Sequence, residues 1–399
     1  MKNNRNSFIY FIFLLLAAVF LIMKMIRGFS GSEEAGGIWN VIQLLFVASG
    51  VLVLFSKEAT YNSFRCVKLY IGFFLYVWFL SLFPFMFGKM DVSLVFGFLT
   101  VPYGVMVLLT FYYVGRKADI KQYWWILMAA FYVISAILFT AMRSFRMYMG
   151  DQGALADIYY IVTLLPLVML YTPTKLKILP FLVAFVCVAM TGKRGAFLAM
   201  GLVMIVYFLL PFSENGKAAK GNVFVRLIVF SAVFALIWIV INKAVGLYNL
   251  NIFDRLDKMD EDGGSGRVDR WRLLLSLFGA ESSVFQLLFG HGSGAVVNMI
   301  GGHAHNDFLE FCYNYGIFAV LLYVMFFVAL IRETVKMYKK KYTYAREFLC
   351  SVGIALCMSF FSFYAIDCTH ITASSICLGL ILADWYKYQT NDYTRQQGE

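Results

Sequence analysis

Apolar residues run along this chain in continuous stretches of roughly twenty, the length a helix needs to cross a ~30 Å hydrocarbon core. They do not alternate with polar positions at period two, so they read as helices and not as strands of a closed barrel. Twelve spans are expected, at about 8–26, 37–56, 67–87, 92–114, 122–141, 157–171, 178–192, 195–211, 224–243, 307–331, 347–366 and 371–386. The first lies in MKNNRNSFIYFIFLLLAAVFLIMKMI; its apolar stretch is long and lacks a small-x-small site, so it reads as a span and not as a cleaved signal. One long interruption covers 244–306. The expected organisation is spans one to nine in 1–243, a loop in 244–306, and spans ten to twelve with a tail in 307–399. The fold class that follows is an all-α, polytopic membrane helix bundle.

Charge gives an expected orientation. With the N-terminus in the cytoplasm, the short inner segments carry 21 Lys and Arg against 7 in the short outer ones, and both termini are cytoplasmic. The segment 244–306 then lies outside, and all four histidines, His291, His303, His305 and His370, fall on that side. Histidine exchanges protons near neutral pH, so the chemistry is expected to face outward. The net charge of +11 sits largely in short loops and reads as topology, not as a nucleic-acid surface. Seven scattered cysteines without a CxxC pair argue against a disulfide framework or a zinc site. No P-loop or dinucleotide fingerprint is present, so no nucleotide cofactor is expected.

Several polar stretches stand out from this background. TGKRGAF, 191–197, sets two cations between apolar runs on the expected outer side. Lys193 reads as a snorkelling cation; Arg194, between Gly192 and Gly195, reads either so or as a bidentate phosphate ligand. In SGRVDRW, 265–271, Arg267 and Arg270 share a helix face, while Trp271, Leu274, Leu275 and Phe278 form the apolar side of an amphipathic surface helix capped by Ser265. These arginines are either solvated, as Arg272 is expected to be, or hold an anionic headgroup. GHGSG, 290–294, is a flexible turn in which His291 reads as structural.

The densest stretch is GGHAHNDFLEFCYNYG, 301–316. Asn306, Glu310 and Asn314 recur at i, i+4 and i+8, one polar stripe on the first turns of the tenth span, with Asp307 on the neighbouring edge. An acid in a membrane helix costs about 2–3 kcal/mol, so Glu310 is expected to face the bundle interior or a wet cavity. His305 by itself reads as a cap or loop residue. The His303/His305 pair lacks a third ligand at proper spacing, so no metal is expected.

The outward KRG, the long loop with SGR…RW, the GxGxG turn and HNDFLEFCYNYGIFAVL together resemble the O-antigen ligase / O-antigen polymerase superfamily. The likeness covers about 190–330, and His305, Asn306, Leu309 and Gly316 hold its motif positions. It implies a GT-C-like membrane fold with one large extracytoplasmic loop. It also implies glycosyl transfer from an undecaprenyl-diphosphate-linked glycan in the bacterial cytoplasmic (inner) membrane, without nucleotide sugar, cofactor or metal. Carried over residue by residue, it puts Arg194 and either Arg267 or Arg270 on the diphosphate and His305 near the acceptor hydroxyl; Asn306, Asp307 and Glu310, from the polar stretch itself, are expected to support them. Arginines fixed in a low-dielectric cavity would stabilise the charge that develops on a diphosphate leaving group. A neutral histidine would orient or deprotonate the attacking hydroxyl, and direct displacement would invert the anomeric carbon.

The leading expectation is a polymerase of lipid-linked repeat units for O-antigen, capsule or exopolysaccharide. Its partners would be the lipid-linked glycan, the bilayer and, as an option, a chain-length regulator protein. The alternative is a ligase that moves the finished glycan, as of lipopolysaccharide, onto lipid A-core or protein. A transporter or flippase is the rival from another class; it would need polar or broken helices at mid-membrane, and spans one to four are poor in them.

Overall fold

The computed structural model describes residues 2–30, 34–56, 63–86, 92–117, 124–148, 157–210 apart from 192, 266–365 apart from 281, and 367–397, with scattered positions from 228 to 239. Fourteen α-helices and no strand are found among them. They are α1 (Lys2–Ser30), α2 (Glu34–Leu54), α3 (Arg65–Met86), α4 (Val92–Lys117), α5 (Trp125–Tyr148), α6 (Ile158–Tyr171), α7 (Ile178–Ala189) and α8 (Arg194–Met204). Then follow α9 (Arg267–Ala280), α10 (Val284–Phe289), α11 (Ala295–Ile300), α12 (Asp307–Lys339), α13 (Ala345–Phe361) and α14 (Cys368–Gln397). The chain is thus an all-α, polytopic membrane protein. Among the described residues, three helices, Arg65–Leu82, Trp125–Phe145 and Asp307–Lys339, are long and apolar enough to cross a membrane, and shorter apolar helices lie at Phe11–Met23, Asn40–Leu54, Ile158–Tyr171 and Arg194–Leu209. The expected span 224–243 lies outside the described residues except at its scattered positions.

The centre of the bundle is the pair α4 and α14, with α2 and α3 on the other sides of α4 and α6 against α14. Close approach needs small residues, since lipid gives helices no hydrophobic reason to associate. At Gly379 a Cβ would lie 2.7 Å from the Leu108 carbonyl oxygen. The core is dominated by aromatics, including Tyr70 stacked on Phe326 at 4.3 Å and Phe73 edge-on to Phe311 at 5.0 Å.

Two helices depart from the expected spans in ways that matter. The span expected at 347–366 stops at Phe361, and residues 362–365 turn back beneath the start of α12. The span expected to end at 141 continues to Tyr148, so Arg143, one of the seven cations expected in the short outer segments, is buried at 1% exposure and donates from Nε to the Met190 carbonyl, 3.2 Å. A buried arginine is tolerated there because it caps the carbonyl end of α7. At the opposite end of α12, buried acids hold the helices together. Glu333 accepts from Lys336 at 2.6 Å and from Trp385 at 3.4 Å, and Lys177 pairs with buried Glu347.

Candidate functional site

The site forms where 301–306 enters α12. Asn306 is the N-cap: its backbone is extended and its side chain accepts from Leu309 N, 3.1 Å. One turn on, Glu310 is 1% exposed, and both its oxygens are spent on the preceding turn. Oε2 accepts from Ala304 N at 2.8 Å and Oε1 from His303 Nδ1 at 2.9 Å. The turn closes with His305 at φ 55°, a left-handed conformation that a non-glycine residue adopts at a cost of about 1–3 kcal/mol. His305 is therefore not the cap; it is held out of the helix by the residues on either side.

A second strand of the site is Phe361–Ala365. Asp307, fully buried, accepts from Ala365 N at 2.9 Å, from Tyr364 N at 3.1 Å and from the Tyr323 hydroxyl at 3.1 Å. This capture explains why α13 stops at Phe361. It also presents Phe363, on which the His305 ring stacks at 4.2 Å and against which His303 lies edge-on at 4.9 Å. Behind Phe363, buried His370 donates from Nδ1 to the Phe363 carbonyl, 2.8 Å.

The arginines reach the same place from α9. Arg267 Nη1 donates to the Phe361 carbonyl, Arg270 Nη1 to the His303 carbonyl at 3.3 Å, and Trp271 Nε1 to the Ala304 carbonyl at 2.7 Å. The expected shared face of Arg267 and Arg270 is therefore present, and Trp271 lies with them. Ser265, expected to cap this helix, lies outside the described residues. Arg194 opens α8 and is half-buried. Its neighbour Gly195 packs on the same segment, where a Cβ would lie 2.5 Å from the Tyr159 hydroxyl and 3.6 Å from Phe361 Cβ.

The loop is locked to the span by a backbone crossing. Gly290 (φ 81°, ψ −177°) and Gly316 (φ 79°, ψ −179°) both occupy a region open essentially to glycine alone. A Cβ on Gly316 would lie 2.2 Å from the Leu288 carbonyl oxygen, and one on Gly290 would lie 2.3 Å from the Asn314 carbonyl oxygen. The break at Gly316 releases α12 carbonyls to the turn: Tyr313 O accepts from His291 N and Asn314 O from Gly292 N, both at 2.9 Å. Asn314 Oδ1 accepts from Val296 N at 3.0 Å, in the first turn of α11. His291 is structural here, stacked on Tyr313 at 4.4 Å and hydrogen-bonded to Ser282 at 2.8 Å.

The electrostatics separate the two histidines of the turn. Burial, then Arg267, Lys193, Arg270 and His303, push the His305 imidazole down to about 4, so it is neutral at physiological pH. The hydrogen bond to Glu310 holds the proton on His303 and raises it above the ordinary imidazole value. The cation of the TGKRG turn that acts on His305 is Lys193, which its sequence context had marked as a snorkelling residue.

Of the residues expected to form a site, His305, Arg267, Arg270, Asn306, Asp307 and Glu310 meet around Phe361–Ala365, and Arg194 stands at the edge of that segment through Gly195. What the sequence left without a place in the site or its support is Phe363, Tyr323, His370 and Arg143. The available signals were a histidine and an arginine adjoining apolar runs, which lipid disfavours unless they are satisfied inside the bundle.

Residues 179–324 match the family model described as O-antigen ligase, a stretch that holds Arg194, Arg267, Arg270, His305 and Gly316. No curated protein matches the chain. Residues 179–324, which carry the polar site at the mouth of α12, are thus similar to the O-antigen ligase family, and it is over this stretch of an all-helical membrane bundle that the likeness holds.

Proposed function

We propose that the protein is a metal-independent, inverting glycosyltransferase that polymerises undecaprenyl-diphosphate-linked oligosaccharide repeat units at the outer face of the bacterial inner membrane. The observation that carries this reading is His305, fixed in a left-handed turn and stacked on Phe363, with Arg267 bonded to the Phe361 carbonyl and Arg270 to the His303 carbonyl beside it. Arg194, Arg267 and Arg270 hold the diphosphate, and their charge stabilises the leaving group as the glycosidic bond breaks. His305 takes the proton of the acceptor hydroxyl. Its low basicity rises once the diphosphate offsets the surrounding cations, so base strength and donor binding are coupled. Asn306, Asp307 and Glu310 do not touch substrate; they fix the helix start, the Phe363 platform and the turn.

Three outcomes are expected. Because kcat/KM reports the free enzyme, its acid limb should appear only as pH falls toward about 4, where His305 gains a proton. An acid limb near the ordinary imidazole value would remove His305 as the base. Activity should persist in EDTA, since His303 Nδ1 is committed to Glu310; full loss restored by a divalent cation would overturn the metal-free reading. Cysteine-accessibility mapping should place 282–306 outside and Lys339–Lys341 inside, the reverse result inverting the topology.

The second reading is ligation, which the matched family's own description favours. Purified enzyme given synthetic undecaprenyl-diphosphate oligosaccharide alone should lengthen it. Transfer that occurs only when lipid A-core or a protein acceptor is added would decide for ligase.

A further inference from the structure

Glu310 spends one oxygen on His303, a ring that the proposed mechanism leaves without a task. The two side chains differ sharply in exposure: Glu310 is 2% exposed, whereas His303 is 43% exposed. The carboxylate is thus sealed inside the protein while the imidazole opens toward the surface of the cluster. With Nδ1 donating to Glu310, the ring's other nitrogen, Nε2, points away from that bond. His303 shares the Phe363 platform with His305 and carries Arg270 on its own carbonyl.

We infer that His303, charged through Glu310, is a further phosphate ligand of the site, one that binds a polyprenyl diphosphate only while it is protonated. The inference rests on the proposed donor chemistry and adds to it a pH gate on donor binding and product release. The groups that face His303 are few. From α12 come Glu310 and buried Asp307, both of which favour its charge. From α9 comes Arg270, bonded to its carbonyl, and on its own turn lies neutral His305. Phe363, from the segment after α13, is uncharged. An imidazolium on a sealed carboxylate keeps its proton to higher pH than an ordinary imidazole and loses it as pH rises further. An anion bound at Nε2 would add a charge-assisted hydrogen bond that vanishes with that proton.

The test measures binding of undecaprenyl diphosphate to the full-length protein in nanodiscs across acidic to alkaline pH, with undecaprenol as the uncharged control. Affinity for the diphosphate should fall about tenfold as pH rises, the loss expected for one charge-assisted hydrogen bond. The lipid's own proton loss makes it more anionic and works in the opposite direction, so a fall comes from the protein. Glu310→Gln should move the midpoint down toward the ordinary imidazole value. His303→Gln should bind weakly and without a midpoint, and His303→Lys should bind tightly without one, which a merely structural histidine would not permit. A wild-type profile in His303→Gln, or no recovery in His303→Lys, would overturn the inference. Arg194→Ala and Arg267→Ala report on the underlying reading separately. If they retain full affinity at every pH, the proposed donor site fails whatever His303 does; if wild type binds no diphosphate at any pH, both readings fall.

Discussion

Replacement of His305 by Ala is expected to reduce glycan transfer by about 10²–10⁴, the usual contribution of a positioned base, in a protein that still folds. His305→Gln should be nearly as inactive, since an amide keeps a hydrogen bond but takes no proton. Folding should survive because the ring makes one stacking contact, on Phe363, and the left-handed turn at 305 is set by the bonds of its neighbours Ala304 and Asn306. Arg267→Ala and Arg194→Ala are expected to be similarly inactive for a different reason, loss of fixed positive charge. Lysine at either position should recover only part of the rate, because it keeps the charge and loses the planar fork. His291→Ala is the control; its ring stacks on Tyr313 and bonds Ser282, so it should cost stability and leave transfer largely intact. Normal polymerisation by His305→Ala, measured with synthetic lipid-linked oligosaccharide, would move the chemistry elsewhere in the loop.

The second large effect concerns glycine. Gly316→Ala and Gly290→Ala should each destabilise the detergent-solubilised protein by about 3 kcal/mol or more. A Cβ at either position combines a backbone region closed to other residues with contact at 2.3 Å or less against the opposing chain. Thermal unfolding should show the shift in both variants. Transfer should be lost with it, since His303 and His305 lie between the two crossing points. An unchanged melting curve for Gly316→Ala would mean that α12 can run straight through this position and that the crossing is dispensable.

The parts of this architecture that were legible in the sequence are those set by local spacing. The apolar runs at 157–171 and 178–192 became Ile158–Tyr171 and Ile178–Ala189, because hydropathy and helix coincide where the flanks are turns. Asn306, Glu310 and Asn314 were legible as one stripe, because i+4 spacing is a property of the helix itself. Their tasks were not, since each partner is tertiary: a cap hydrogen bond, a clamp on the 303–304 turn and a bond to Val296. The end of α13 was hidden for the same reason. Nothing in FSFYA forbids a helix; Asp307, more than fifty residues earlier, takes the Tyr364 and Ala365 amides and stops it. Arg143 was misplaced because a charge after an apolar run looks like a loop, and only the Met190 carbonyl shows that it is satisfied inside.

The mutual crossing of Gly290 and Gly316 also sets a rule for recombining such proteins. Residues 282–316 leave and re-enter the bundle through one another's backbone, so they transfer between relatives as a single cassette or not at all. A crossover inside this block would pair one parent's turn with the other parent's helix break at two glycines where the opposing backbone leaves no room even for a Cβ. Chimeras intended to exchange acceptor preference should therefore be joined upstream of Ser282 and downstream of Gly316. Under that rule, α9, which carries the arginines, can be inherited separately from the histidine turn it serves.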